Sequence, residues 1–326
     1  MDLITDRPQW FKEALEVEHK SSKVNIDGAD IHFLEWGDPQ NQSVIMLHGN
    51  HAHAHWFQFI GALLSDKYHF VVMSFSGMGE SDWRSSYERD TFIEDVWGVV
   101  TATKMEKPIV VGHSFGGMVS LVTAGKYSSL MKGLLLVDFI VYPPEESAEW
   151  FHGHPKSRPP QIRDQKEDFT KRFRLMPAQE CVNQFLIDFI ADKSIRETED
   201  GWSWTFDPST YDTLRIGSDH AEILSNLECP VGFFYGEHTV EFNSRSGVSG
   251  MKDLLPEGSP IVALEDSQHH LMLDKPLEFV EELDKFIQFF IEQKAKTSSG
   301  PGAVNRKNHI KIIATQSKDA NNIKAT

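Results

Sequence analysis

The sequence has little of several things, and each shortage excludes something. Among 326 residues there are only two cysteines, Cys181 and Cys229, and they form no cluster with metal-ligand spacing. A chain of this length buries about three-quarters of its unfolded surface, so it needs no disulfide framework. One disulfide is compatible with the pair; two buried thiols are the expected state. No apolar run approaches the ~18 residues of a membrane span, and the longest candidate, residues 133–142, is interrupted by Asp138. The opening decapeptide holds Asp2 and Asp6 and no apolar segment, so no signal peptide is expected and the cytoplasm is the expected compartment. Basic residues are scarce: 32 Lys and Arg stand against 48 Asp and Glu, a formal net charge of −16. Such a surface repels a phosphate backbone, which argues against a nucleic-acid partner. Gly77 and Gly79 do not complete a dinucleotide fingerprint, and there is no Walker motif.

What is present is an alternation. Short apolar runs at 44–47, 70–73, 109–111, 134–137, 231–235 and 261–264 are separated by segments of helical periodicity, the mark of βαβ units and a mostly parallel sheet. Residues 24–26 and 31–36 flank Asp27-Gly28, a hairpin signal. Thr91 and Glu94 read as a capping box opening a helix. Pro276 begins the strongest helical pattern, with Phe279, Val280, Leu283, Phe286, Ile287, Phe290 and Ile291 on one face. Residues 139–227 break the alternation: Pro-rich at first, then helical and aromatic, they read as an insertion between two strands. Residues 297–326 carry Arg306, Lys307, Lys311, Lys318 and Lys324 against Asp319 and read as a disordered polar tail.

The chemically interesting residues fall just after predicted strands, where open α/β sheets bind ligands. Gly112-His113-Ser114-Phe115-Gly116 fits a nucleophile elbow, in which glycines flanking the serine by two remove Cβ atoms that would clash in a sharp strand-to-helix turn. His48-Gly49-Asn50 closes an earlier strand, and the N–H groups of Asn50 and Phe115 are candidates for an oxyanion hole. His269, after the last strand, is the candidate base; His270 is the alternative, although the Leu271-Met272-Leu273 that follows favours packing for it. Two carboxylates compete to orient the imidazole. Asp138 ends one strand, Glu241 lies in the loop after another, and Asp138 is preferred. His51, His53 and His55 alternate without cysteine or carboxylate neighbours, so a metal role is not expected. Trp202, Trp204, Phe206 and Asp207 read either as pocket lining or as a small core within the insertion.

On these motifs, together with Gly77-Met78-Gly79-Glu80-Ser81-Asp82 and Pro276, residues 20–294 resemble the α/β-hydrolase fold superfamily, in its capped serine esterase, lipase and C–C-bond hydrolase branch. The order of oxyanion strand, elbow, insertion and late histidine is the family's. The resemblance implies a core of residues 1–138 and 228–296, with helices on both faces of the sheet and a helical cap at 139–227. It also implies a triad of Ser114, His269 and Asp138, no cofactor and no metal. Two departures stand out. Ser74 and Ser76 replace a charged pair usual in the family, so a buried ion pair near the pocket is expected to be missing. Gly236-Glu237-His238-Thr239 lacks the carboxylate usual four residues into that loop, which favours the family's alternative acid position, Asp138. Ser114 in place of an aspartate disfavours epoxide hydrolase and dehalogenase chemistry. The expected activity is hydrolysis of a small apolar carboxylic ester. Trp150, Phe151, Phe169, Phe173, Phe185 and Phe189 are expected to line its cleft. C–C-bond hydrolysis, lactone hydrolysis, or a silent ligand- or protein-binding role are the alternatives. Oligomeric state is not legible.

Overall fold

The computed structural model of the protein describes residues 7–142, 157–215, 217–239 and 247–293. Helix α1 (Gln9–Glu16) leads into β1 (Lys20–Ile26) and β2 (Ala29–Trp36), an antiparallel hairpin. Its two-residue turn places Asp27 at φ 47° and Gly28 at φ 83°, the positive pair that such a turn demands. There follow β3 (Ser43–Leu47), α2 (Gln58–Leu64), β4 (His69–Met73), α3 (Arg89–Ala102), β5 (Ile109–His113), α4 (Phe115–Tyr127) and β6 (Gly133–Val137). After an inserted region come β9 (Val231–Gly236), α8 (Gly247–Leu254), β10 (Ile261–Leu264), α9 (Leu271–Asp274) and α10 (Pro276–Glu292). The insertion itself contributes α5 (Glu167–Thr170), α6 (Gln184–Lys193), β7 (Ile195–Thr198), β8 (Gly201–Trp204) and α7 (His220–Ser225).

The main sheet runs β1-β2-β4-β3-β5-β6-β9-β10, antiparallel through β1, β2 and β4 and parallel from β4 onward. Strand side chains alternate between its faces. Val44, Met46, Val111 and Leu135 join one core with α2 and α10; Ile45, Leu47, Val110 and Leu134 join the other with α3 and α4. That two-sided burial explains why the strands read as continuous apolar runs. Helix α10 buries Phe279, Leu283, Phe286, Ile287 and Phe290 on one side, each worth about 1.5–3 kcal/mol if fully removed from water. No helix among the described residues is long and apolar enough to cross a membrane.

Three expectations need correction. Helix α3 begins at Arg89, with Glu88 as its cap: the Glu88 side chain receives a backbone N–H while the Thr91 hydroxyl accepts the Glu88 N–H. Thr91 is therefore the inner member of the capping box, not the outer one. The insertion is not wholly helical, because β7 and β8 form an antiparallel hairpin. Trp202-Ser203-Trp204-Thr205 alternates bulky and small, and Ser203 and Thr205 are the buried members, a period of two that suits a strand. Finally, Phe185 and Phe189 pack on Phe11 at 5.1 and 5.5 Å between ring centroids, with Trp10 5.9 Å from Phe185. They anchor α6 to α1 instead of lining a cleft. Trp150, Phe151 and the 297–326 segment lie outside the described residues.

Candidate active site

Strand β5 runs into α4 through Ser114, at φ 54° and ψ −118°. A non-glycine residue there costs on the order of 1–3 kcal/mol and persists only where its surroundings impose it. Here they do. A Cβ at Gly112 would stand 2.2 Å from the Gly116 carbonyl oxygen, and one at Gly116 only 2.4 Å from that of Leu47. The chain can turn this sharply, with α4 pressed on the end of β3, only because both are glycine. The Ser114 carbonyl accepts the N–H groups of Gly117 and Met118, which fixes the helix start.

Strand β6 ends in Asp138, also at positive φ (49°). Its side chain is fully buried. Oδ1 accepts the Gly236 N–H at 2.9 Å and the Thr239 hydroxyl at 3.0 Å. Thr239 thus occupies the loop position where the family pattern has a carboxylate, and it donates to the carboxylate supplied by β6. Burial pushes the Asp138 carboxyl above its ordinary range, against the hydrogen bonds from His269, Gly236 and Thr239.

His269 follows β10 and spans the two. Its Nδ1 lies 2.7 Å from Asp138 Oδ2, and its Nε2 lies 2.9 Å from Ser114 Oγ. The partners set the tautomer: Nδ1–H donates to the carboxylate, leaving Nε2 to accept the serine hydroxyl. Ser114, His269 and Asp138 are thereby brought together. Glu241 lies outside the described residues. His270 turns elsewhere, its Nδ1 2.8 Å from Gln179 Oε1.

The His48-Gly49-Asn50 loop passes over the elbow. A Cβ on Gly49 would come within 3.4 Å of the Ser114 Cβ. His48 is fixed below it, receiving the Phe75 N–H at Nε2 and donating from Nδ1 to the Gly49 carbonyl. Its burial drops the imidazole pKa to about 4, so the ring is neutral. Phe115 opens α4, where an N–H has no intrahelical acceptor. Asn50 is exposed, and its side-chain Oδ1 accepts the Tyr211 hydroxyl from the insertion.

Several supporting residues escape a sequence reading. His113, the variable residue inside the elbow motif, is buried, and its Nε2–H donates to the His269 carbonyl at 2.8 Å. Burial lowers its pKa to about 3, so it stays a neutral donor. The loop that carries His269 is also held from the insertion. Gln179 donates to Asp274, whose Oδ2 accepts the Gln268 N–H, and Asn183 donates to the carbonyls of Leu273 and Asp274. Only the position of His113 within the motif hinted at any of this.

The remaining candidates separate. His53 bonds Ser194, His55 bonds Gln58 and Glu80, and His51 stacks on Phe206, so each of the three alternating histidines has partners of its own. Trp204 packs on Phe169 at 4.8 Å, and Asp207 accepts the Tyr87 hydroxyl. Ser74 accepts the Ala54 N–H. An ion pair expected to be missing nearby is present in another form: Arg84 reaches Asp95, fully buried, at 2.9 Å, and Asp95 also accepts the Ser76 N–H. The charges come from a loop and from α3, a substitution visible only in three dimensions. Cys181 is half-buried and Cys229 buried, with no disulfide between them.

Sheet order, the glycine-flanked serine turn and the histidine after the last strand together follow the α/β-hydrolase fold. The sequence profile of the α/β hydrolase fold matches residues 42–175. A serine hydrolase-like protein of Danio rerio is 23% identical over 286 residues, 81% of this chain and 87% of that protein. Among solved structures, E-2-(acetamidomethylene)succinate hydrolase superposes with a TM-score of 0.69 at 20% identity, covering 83% of this chain and 100% of that one. An esterase of M. tuberculosis superposes at 0.66 and 18% identity, covering 86% and 97%. The chain therefore has the α/β-hydrolase fold.

Proposed function

We propose that the protein is a serine hydrolase that cleaves a carboxylic ester, or a similar acyl bond, of a small apolar substrate through an acyl-enzyme. One observation carries this reading: a single imidazole lies 2.9 Å from a strained serine hydroxyl on one side and 2.7 Å from a buried carboxylate on the other. In this reading His269 takes the Ser114 proton as Oγ attacks the carbonyl carbon. Asp138 holds the imidazole in the productive tautomer and stabilises the imidazolium. The N–H groups of Asn50 and Phe115 receive the tetrahedral oxyanion, each worth about 2.7–4 kcal/mol in comparable chemistry. His269 then protonates the leaving alkoxide, and the acyl group stays on Ser114. Water, deprotonated by the same imidazole, attacks the acyl-enzyme and releases the acid. No step needs a cofactor. Residues 139–227 act as the cap over the strand ends. The charge balance, and the lack of a membrane-crossing helix among the described residues, are compatible with a cytoplasmic, small-molecule enzyme.

A panel of p-nitrophenyl esters of rising acyl length tests the reading. Wild type is expected to release p-nitrophenol with a preference for short chains, and Ser114→Ala is expected to reduce the rate to background. Equal rates in the two proteins would contradict it.

A further inference from the structure

A path of aromatic rings leaves the base and returns to the nucleophile. His270 lies 5.0 Å from His269, and Trp56 5.5 Å from His270. Phe173, from the insertion, follows 6.2 Å from Trp56, and Trp204 stands 6.4 Å beyond it. Phe206 comes next at 6.2 Å, stacked at 4.1 Å on His51 of the loop after β3. His51 meets Tyr211 at 5.5 Å, and Tyr211 meets Phe115, the residue after Ser114, at 5.7 Å. Each step is within the range of direct aromatic contact.

The burial pattern sets these rings apart. Phe57, Phe70, Phe92 and Phe233 in the sheet's cores are completely buried. Phe173, Trp204, Phe206, His51, Tyr211 and Phe115 are each only half-buried, as Ser114 is. From Phe173 to Phe115 large aromatic surfaces are left part-open one after another, ending beside Ser114, whereas His270 and Trp56 behind them are buried. Burial lowers the His51 pKa to about 4, so the ring is neutral near pH 7. Among the described residues the path carries no cation to receive a carboxylate or phosphate, and burying an unpaired charge against these rings would be unfavourable.

We propose that this aromatic wall is the substrate site and that it selects an uncharged ester bearing a planar aryl ring. The proposal rests on the serine-hydrolase reading for the position of the scissile bond, but its recognition element can be measured without turnover. An aryl ring adds edge-to-face and stacked contacts to such a wall, whereas a saturated ring of the same size offers only apolar area.

The test is calorimetric binding of phenyl acetate and cyclohexyl acetate to the full-length Ser114→Ala protein. Phenyl acetate is expected to bind about fivefold more tightly, the worth of one or two aromatic contacts. Adding Phe206→Leu, or separately Tyr211→Leu, is expected to bring the ratio close to one without lowering the melting temperature appreciably. Cyclohexyl acetate is the more apolar ligand, so a merely greasy cleft would bind it as well or better; that result, or a ratio indifferent to both substitutions, overturns the proposal. The two readings fail separately. Selective binding of phenyl acetate by a wild type that never cleaves it supports the aryl site and overturns the hydrolase. Cleavage of both esters with no binding preference does the reverse.

Discussion

The interiors of the strands and their carboxyl ends obey opposite rules, one residue apart. From Gly133 to Val137, β6 is apolar and buried throughout, and burial is what stabilises it. The next residue, Asp138, is equally buried, but it is a carboxylate at positive φ whose ionised form burial disfavours. Strand β5 makes the same passage from Ile109-Val110-Val111 to a strained Ser114. The interiors follow local pattern and hydrophobicity; the ends depart from both and are held by glycine clearances and by hydrogen bonds from distant segments. Departures of this kind concentrate where chemistry is done.

Substitutions in the two regions should separate activity from stability. The largest effect is expected at Ser114→Ala: ester hydrolysis falls by about 10⁴- to 10⁶-fold, with the melting temperature almost unchanged. Next comes Asp138→Asn, for which kcat is expected to drop about 10⁴-fold because the amide holds the wrong tautomer of His269. Its stability should move the other way. The folded chain holds the Asp138 proton more tightly than the unfolded chain, so stability falls as pH rises through the interval between the two values. Thermal melts across that interval should be flatter for Asp138→Asn, and no less stable above it; a loss of several degrees would contradict the account of burial at strand ends.

In the interior, Leu135→Ala inverts the pattern. Its side chain is fully buried, so about 2–5 kcal/mol of stability should be lost in denaturant titrations, while kcat at low temperature stays within about twofold. A smaller activity effect is expected where the regions meet. His113→Phe keeps a ring but deletes the donor to the His269 carbonyl, and kcat should fall about 10- to 100-fold through misplacement of the base, with KM unchanged. His113→Gln, which retains a donor, should recover part of it; equal losses in both variants would assign His113 to packing alone. The smallest effect belongs to Tyr211→Phe, which frees the Asn50 side chain and should lower kcat only a few-fold if Asn50 is aligned chiefly by the loop beneath it.

The contrast also explains what was legible in the sequence. Six apolar runs, the Asp27-Gly28 turn and the α10 face were readable because they are local and periodic. The meeting of Ser114 and His269 was readable because the elbow pattern needs glycines at fixed offsets and a histidine follows the last strand. The competition between Asp138 and Glu241 stayed open, since only three-dimensional proximity distinguishes them; the structure gives Asp138 the contact to His269, and Glu241 lies outside the described residues. Thr239 was legible only as a missing carboxylate. The aromatic residues of the insertion illustrate the same limit. Phe185 and Phe173 are one residue type in one segment, yet Phe185 closes on Phe11 of α1 while Phe173 stays half-open beside Trp56. What a phenylalanine does is decided by its partner, and here the partners are more than a hundred residues away.

The most direct measurement is reaction of the intact protein with a fluorophosphonate, followed by mass spectrometry of its peptides. The account predicts a single covalent adduct, on Ser114, formed rapidly by wild type and slowed by orders of magnitude in His269→Gln. A folded wild-type protein that forms no adduct, or forms it on another residue at the same rate with and without His269, would contradict it.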